Sequence, residues 1–447
     1  MENPRECALD VLIKVDKKEE LSHIAISNVL EKYQFSEKRD RAFFTRLVEG
    51  TLERQITIDY VADQFSKTKI RKCKPLIRAL LRMGIYQLLY MDQVPDSAAC
   101  NEAVKLAKKR GFSRLSGFVN GVLRNISRKK ETISYPKKDK NLVTYLSVTY
   151  SIPEWIIKFF MKTYDDETVE KIIESYLEDK KTTLCCLMSK GGKDVIRKEL
   201  EEENVTVEDG ELIENAVKIS DYDFLYRLRA FREGKCYVQD ESSMLCAKLA
   251  GAKEGQFVMD LCSAPGGKSL YTADQMKGSG QVLSRDLTEY KTDLIEDNIE
   301  RMGLNNMEAE VFDATILDEE HIEAADVVIA DVPCSGLGIM GKKNDIKYHI
   351  SEDGMKNLVK LQREILTNAV QYVKHGGTLI YSTCTINPEE NEKNMQWIIN
   401  NFDYEAVDIT EELPKNLKIE TAKDGYIQLL PGVHPCDGFF IAKLRRK

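Results

Sequence analysis

The chain has 447 residues, 43% of them hydrophobic and 31% charged, a balance that builds globular domains and excludes a disordered or fibrous protein. Its first twenty residues carry charges throughout and no run of 18 uninterrupted apolar residues occurs, so no signal peptide or membrane span is expected; the cysteine usage described below sets the expected location in the cytoplasm. The net charge of −8 is unevenly spread: residues 1–140 hold 29 Lys+Arg against 18 Asp+Glu, a balance of +11, and the remainder carries −19.

A basic segment on an acidic body points to a nucleic-acid module joined to another domain. Eleven cysteines, an odd number scattered without a CxxC pair, fit reduced thiols better than disulfides or zinc ligands. From Arg5 to about Arg128 the apolar residues recur at helical spacing. Leu76, Ile77, Leu80, Leu81, Ile85, Leu88 and Leu89 form one stripe, and Phe118, Val119, Val122, Leu123 and Ile126 form another; both predict core-facing helices. Turn residues Gln93-Val-Pro-Asp96 and Arg110-Gly111 separate them, so an all-α bundle is expected over residues 1–135. Residues 131–145, Lys-rich around Pro136, predict a linker. Helical pattern over 153–178, a strand over 182–188, a helix over 193–202 and short strands near Val207 and Val217 predict a small α/β connecting domain, 136–235.

Residues 256–269, Gln-Phe-Val-Met-Asp-Leu-Cys-Ser-Ala-Pro-Gly-Gly-Lys-Ser, organise the rest. A short apolar run reaching Asp260, a turn at Pro265, Gly266 and Gly267, and a helix beginning near Lys268 make a strand–loop–helix suited to a nucleotide-like ligand. A phosphate-binding GxxxxGK[ST] loop is excluded, because its first glycine would fall on Cys262. Beyond the loop, strands over 282–286, 308–313, 326–333 and 378–384 alternate with helices over 289–302 and 355–374, and final strands follow at 426–430 and 439–444. This alternation predicts a parallel, doubly wound sheet, with ligands beyond the carboxyl ends of its strands. Asp286 ends the second strand, where it can accept from ribose hydroxyls, and Asp313 ends the third, placed for an adenine amino group. With no P-loop, a dinucleotide or S-adenosylmethionine remains. Asp331-Val-Pro-Cys-Ser-Gly336 and Tyr381-Ser-Thr-Cys384 end adjacent strands, so Cys334 and Cys384 are expected to face one cleft.

Those stretches, with Asp260-Leu-Cys-Ser-Ala-Pro-Gly-Gly-Lys268, Asp345-Ile-Lys-Tyr348, Asn387-Pro-Glu-Glu-Asn391 and His434-Pro-Cys-Asp-Gly-Phe-Phe440, resemble the Nop/Sun family of RNA cytosine-C5 methyltransferases. Arg41-Ala-Phe-Phe-Thr-Arg-Leu-Val-Glu-Gly-Thr-Leu-Glu-Arg54, Val94-Pro-Asp-Ser-Ala-Ala-Cys-Asn-Glu-Ala-Val104 and Phe118-Val-Asn-Gly-Val-Leu-Arg124 resemble the NusB-type RNA-binding domain. The combination is similar to the bacterial Sun type, which acts on 16S ribosomal RNA. It implies a Rossmann-like class I S-adenosylmethionine-dependent domain over 236–447 behind the helical domain and the connector. The candidate phosphate contacts in the NusB-like part are the clusters 67–74, 108–110 and 128–130.

Cytosine C5 is a poor nucleophile; a thiolate that adds to C6 makes C5 enamine-like, so an activated thiol is required. The residues themselves leave open which cysteine attacks. The resemblance assigns attack to Cys384, product release to Cys334, and a hydrogen bond to the base near N3 to Asp331, with Lys268 near base and cofactor. It also implies that Cys262, Ser263, Ala264, Pro265, Gly266, Gly267, Lys268, Asp286, Asp313 and Asp331 bind S-adenosylmethionine. The implied partner is 16S ribosomal RNA, naked or in a partly assembled small subunit; no metal and no membrane are expected, and the enzyme is expected to be a monomer. The same chemistry on transfer RNA, and a non-catalytic RNA-binding or antitermination factor, are the alternatives. The sequence departs from the family at Cys185 and Leu187, where Arg and Asn are usual, at Arg285, where a small residue is common, and at Gly341-Lys-Lys-Asn344, where Arg and Pro are frequent.

Overall fold

The computed structural model describes residues 3–178 and 181–447; residues 1, 2, 179 and 180, which fall within the expected helical domain and connector, lie outside the described residues. The chain divides into two compact units, one made of residues 1–178 and 340–349, the other of residues 179–339 and 350–447.

The first unit is helical, as its periodicity predicts. Helices Pro4–Asp16, Ser22–Lys32, Lys38–Glu53, Gln55–Phe65, Pro75–Tyr90, Asp96–Lys109 and Ser116–Arg128 enclose one core, and Leu142–Tyr150, Glu154–Phe160 and Asp166–Ser175 follow. Pro75 starts the central helix, since its missing N–H is not needed in the first turn. Ile77, Leu80, Leu81, Met83, Ile85 and Leu88 of that helix are buried, each contributing about 1.5–3 kcal/mol of apolar burial. Its one deeply buried cation, Arg82, is matched by Asp59 at 2.7 Å and Asp16 at 3.0 Å. The expected linker is shorter than 131–145, because the Asn141 side chain accepts from Thr144 N at 3.0 Å and starts a helix there.

The segment 340–349 belongs to this helical unit although both its neighbours in the chain belong to the other. Asp345, 1% exposed, accepts from Ser22 N at 2.8 Å, at the start of a helix whose own N-cap, Leu21, offers no side-chain acceptor. Lys347 donates to the Glu53 carbonyl at 2.8 Å and Tyr348 to the Leu52 carbonyl at 2.9 Å, at the end of Lys38–Glu53. An acid thus meets a helix N-terminus and a lysine a helix C-terminus, which satisfies orphan backbone groups at both ends, and the acid complements the N-terminal dipole. The unusual Gly341 packs on Tyr176, whose Cα would lie 3.0 Å from an added Cβ.

In the second unit, strands β1 (Thr182–Cys186), β2 (Thr206–Asp209), β3 (Ala216–Ser220) and β4 (Cys236–Val238) form an antiparallel sheet ordered β2-β3-β1-β4. Cys185 and Leu187 are core residues, and the departure at Cys185 is accommodated by Asn215, whose amide donates to Sγ at 3.3 Å. The larger sheet contains β5 (Phe257–Asp260), β6 (Gln281–Asp286), β7 (Met307–Val311), β8 (Ala325–Asp331), β9 (Val373–Thr383), β10 (Tyr404–Ala406), β11 (Tyr426–Leu429) and β12 (Phe439–Arg446). Its order is β10-β12-β9-β8-β5-β6-β7, with β11 also paired to β12. Strands β5 to β9 are parallel, as expected, and the order reverses at β5, between β6 and β8. The parallel, doubly wound arrangement ends at β9, and the C-terminal part of the sheet is antiparallel: β12 runs antiparallel to β9, β10 and β11. The connection 430–438 between β11 and β12 is shorter than the dozen or more residues a parallel crossover needs.

Burial pushes the Lys347 ammonium down to about 7, although the charge of nearby Glu53 acts in the opposite direction. The folded state therefore disfavours a proton that the unfolded chain still binds up to its ordinary lysine range, and stability conferred at this position rises with pH above 7. Wild type should gain about 2 kcal/mol relative to Lys347→Met between pH 7 and pH 9, measured by urea denaturation of both proteins across that range; a constant difference would refute the assignment.

Candidate active site

The glycine loop is held from inside. After β5, Gly266 takes φ +99, a left-handed conformation suited to glycine, and helix Gly267–Gln275 begins. Ser263 N donates to the Arg285 carbonyl at 2.8 Å, and Gly266 N to the Ser263 carbonyl at 2.7 Å. Asp260 Oδ2 accepts from Ser269 Oγ at 2.7 Å, whereas its Oδ1 is buried without a hydrogen-bond partner. Burial raises this carboxyl to about 6. Asp286 accepts from Ala264 N at 3.0 Å through Oδ2 and from Leu287 N and Lys291 Nζ, both at 2.8 Å, through Oδ1. Asp313 lies just beyond the end of β7 rather than on it, and its Oδ1 accepts from Thr315 N and Oγ1, at 2.9 and 2.7 Å, which holds its carboxyl below the usual range. Arg285 is 2% exposed and makes 2.6 Å ion pairs with Glu310 and Asp318 while lying 4.2 Å from the Phe312 ring. It braces β6 from the side and leaves Asp286 free to hold the loop.

Parallel pairing of β8 with β9 sets Asp331 opposite Ser382, and Ser382 Oγ donates to Asp331 Oδ1 at 2.8 Å. Lys268 forms an ion pair with Asp331 Oδ2 and lies 5.3 Å from the Phe439 ring. Although burial acts against the Lys268 ammonium, Asp331 raises its pKa overall. Just past these strand ends, Cys334 Sγ and Cys384 Sγ lie 3.3 Å apart. The hydrogen bond to Cys384, followed by burial, pushes the Cys334 thiol well up. Burial raises the Cys262 thiol too, and moves Cys246 and Cys185 to about 12, which marks these as poor nucleophiles. All eleven cysteines are free. Cys384, Cys334, Asp331 and Lys268 thus converge, with the loop 262–268 and Asp286 alongside.

Two glycines absent from the expected site hold the thiol loops. Gly338 N donates to the Cys384 carbonyl at 3.1 Å, and Gly438 N to the Gly338 carbonyl at 3.0 Å. A Cβ on Gly438 would stand 2.6 Å from Gly338 Cα and 2.9 Å from Pro431 Cδ. Gly438 lies within the quoted His434-Pro-Cys-Asp-Gly stretch, so the signal was present without its reason.

Among the basic clusters of the helical unit, Lys109 pairs with Glu6 at 2.7 Å, Arg110 pairs with Glu6 and Asp10, and Lys130 pairs with Asp96 at 2.8 Å. Lys69 pairs with Asp63 at 3.4 Å, whereas Lys67, Arg71 and Lys72 are exposed. Of the three clusters, 67–74 therefore keeps the most charge available.

The family model for 16S rRNA methyltransferase RsmB/F matches residues 247–445, and that of the NusB family matches residues 2–128. A probable ribosomal RNA small subunit methyltransferase B of Bacillus subtilis (strain 168) is 37% identical over 448 residues, covering 99% of this chain and 98% of that protein. The chain belongs to the RsmB/F family. It is a methyltransferase with a NusB-type helical domain and a Rossmann-like catalytic domain. Among solved structures, a crystal structure of PH0851 shares 26% identity and a TM-score of 0.83, over 99% of both chains. A methyltransferase homolog protein from Pyrococcus horikoshii shares 26% identity and a TM-score of 0.59, over 69% of this chain and all of that one (100%). No helix among the described residues of this RsmB/F chain is long and apolar enough to cross a membrane.

Since Gly438 has no room for a side chain, Gly438→Ala should destabilise the catalytic unit by about 1–3 kcal/mol, read as a lower urea midpoint at unchanged slope. An unchanged midpoint would show that the two backbones separate freely.

Proposed function

We propose that this chain transfers a methyl group from S-adenosylmethionine to C5 of a cytosine in 16S ribosomal RNA, through a covalent bond between Cys384 and C6 of the base. The observation that carries this reading is the pair of thiols 3.3 Å apart beside the Lys268–Asp331 ion pair. Methylation at nitrogen or oxygen uses a lone pair the acceptor already has. Carbon C5 has none, so it needs a nucleophile at C6 and a group to help remove its proton, and two adjacent thiols match that need.

Bound S-adenosylmethionine supplies an electrophilic methyl group. The residues that would hold it are 262–268, Asp286, Asp313 and Asp331, and the chemistry around them fits: the buried Oδ1 of neighbouring Asp260 has no donor among the described residues, and Asp286 Oδ2 takes one, leaving acceptors for hydroxyl and amino groups. Cys384 Sγ forms a bond to C6, and the electron pair displaced from the C5–C6 double bond enriches C5. Asp331, fixed by Ser382 and Lys268, faces the ring near N3 and supports that addition through a shared proton. After transfer, Cys334, having first released its own proton to solvent, takes the proton from C5; the C5–C6 double bond re-forms and the C6–Sγ bond breaks, returning its electron pair to Cys384. A base in structured RNA must be unpaired or flipped to reach these sulfur atoms. The basic balance of residues 1–140 and the exposed Lys67, Arg71 and Lys72 support RNA as the partner.

Cys334→Ala incubated with 16S RNA and S-adenosylmethionine should accumulate a slow-migrating protein–RNA adduct on a denaturing gel, and Cys384→Ala should form none. An adduct that requires Cys334 would exchange the two roles. Methylation of transfer RNA but not of 16S RNA by wild type would overturn the substrate.

A further inference from the structure

Glu390 stands in Asn387-Pro-Glu-Glu-Asn391 and is 0% exposed. Its Oε2 accepts from Ser335 N at 2.9 Å and Gln362 Nε2 at 2.8 Å; its Oε1 accepts from Ser335 Oγ at 2.5 Å and Asn387 Nδ2 at 2.8 Å. Four donors use the acceptor capacity of an ionised carboxylate in full, a capacity that neither a protonated acid nor an amide possesses. No Lys, Arg or His pairs with it among the described residues. A buried charge without a counter-ion is costly, and hydrogen bonds from oriented dipoles offset that cost only where all of them are made.

Those bonds end on the residues that flank the two thiols. Ser335 follows Cys334, and its hydroxyl lies 2.7 Å from the hydroxyl of Thr385, which follows Cys384. Gln362, on helix Glu352–Tyr372, also donates to the Pro333 carbonyl at 3.0 Å, and its own Oε1 is fixed by Asn394 at 2.9 Å. Cys334 is thereby bracketed on both sides, through Pro333 and Ser335, by groups bound to one carboxylate.

We propose that Glu390 is a positioning residue whose carboxylate, with Gln362, ties the Cys334 loop to the Cys384 loop and sets the separation of the two sulfur atoms. The inference rests on the functional reading above for its consequence in catalysis, but the spacing it describes is independent of the reaction. The hydrogen bond to Cys384 and burial chiefly keep Cys334 a thiol, and the nearby Glu390 charge acts in the same direction.

Glu390→Gln preserves shape but turns one oxygen into a donor facing two donors. In the full-length protein kcat for 16S RNA methylation should fall on the order of 100-fold with KM for RNA and S-adenosylmethionine within about twofold, the pattern of misplaced reacting groups. Formation of a Cys334–Cys384 disulfide with diamide, which oxidises two thiols to one disulfide while itself reduced to the hydrazine, reads sulfur spacing without any RNA. Peptide mapping of that crosslink should show it forming at least about tenfold more slowly in Glu390→Gln than in wild type, by the same sensitivity to small displacements. Ser335→Ala, which keeps the backbone N–H bond and loses the bridge to Thr385, should fall between them, and it decides the matter if Glu390→Gln does not fold. Glu389→Gln, an exposed neighbour paired with Lys393, should match wild type. Wild-type crosslinking and kcat in the folded variant would overturn the proposal, as would equal loss in Glu389→Gln. Slow crosslinking in the variant, with no methylation of any RNA by wild type, would uphold the clamp and overturn the functional reading.

Discussion

The register between β8 and β9 is the constraint on which the catalytic unit depends. With Asp331 opposite Ser382, each strand delivers its acid or hydroxyl at one level and its thiol just beyond it. A slip of one residue would send Asp331 and Ser382 to opposite faces and part the sulfur atoms. The register is secured because both strands are apolar and buried on both faces through Val328, Ile329, Leu379 and Ile380, and because β12 then covers β9 with its own pairs.

Charge in this site is organised by dehydration. Asp260, Lys268, Arg285 and Asp286 are all buried, yet each meets a different requirement. Arg285 is matched by two carboxylates and an aromatic face, a mechanical role. Lys268 is ion-paired with Asp331 and lies over the Phe439 ring, so the pair is strong inside the protein and sensitive to anything that enters beside it. Asp260 Oδ2 accepts from Ser269, while its Oδ1 has no donor among the described residues and remains available as an acceptor beside the loop.

Much of this was legible along the chain. The 3.6-residue period fixes the helical unit, and the glycine loop, Asp286, Cys334 and Cys384 each follow an apolar run that can be recognised as a strand. These are local signals, carried within a dozen residues. The antiparallel direction of β12 was missed because alternating strands and helices suggest crossovers, and only the short connection after β11 denies one. Glu390 lay inside a stretch already singled out, but its role depends on Gln362 and Ser335, whose distance along the chain carries no period. Cys185 and Leu187 stood out along the chain only as departures from the family pattern, and both are buried core residues. The basic clusters were legible as charge, but which of Lys109, Arg110 and Lys130 are paired depends on Glu6, Asp10 and Asp96, acids that only the fold brings to them.

Residues 340–349 bear on how such a protein can be taken apart or assembled from pieces. A polypeptide cut at the junction near residue 178 would not release two self-sufficient modules, because the fragment that contains both thiols would also carry Asp345, Lys347 and Tyr348 away from the helix ends that they satisfy. Recombination that exchanges the helical part for a different RNA-binding module would leave this stretch without a seat, beginning only a few residues from Ser335. Because the contacts reach the backbone N–H of Ser22 and the carbonyls of Leu52 and Glu53, what the distant segment requires of the helical part is the position of its helix ends rather than particular side chains.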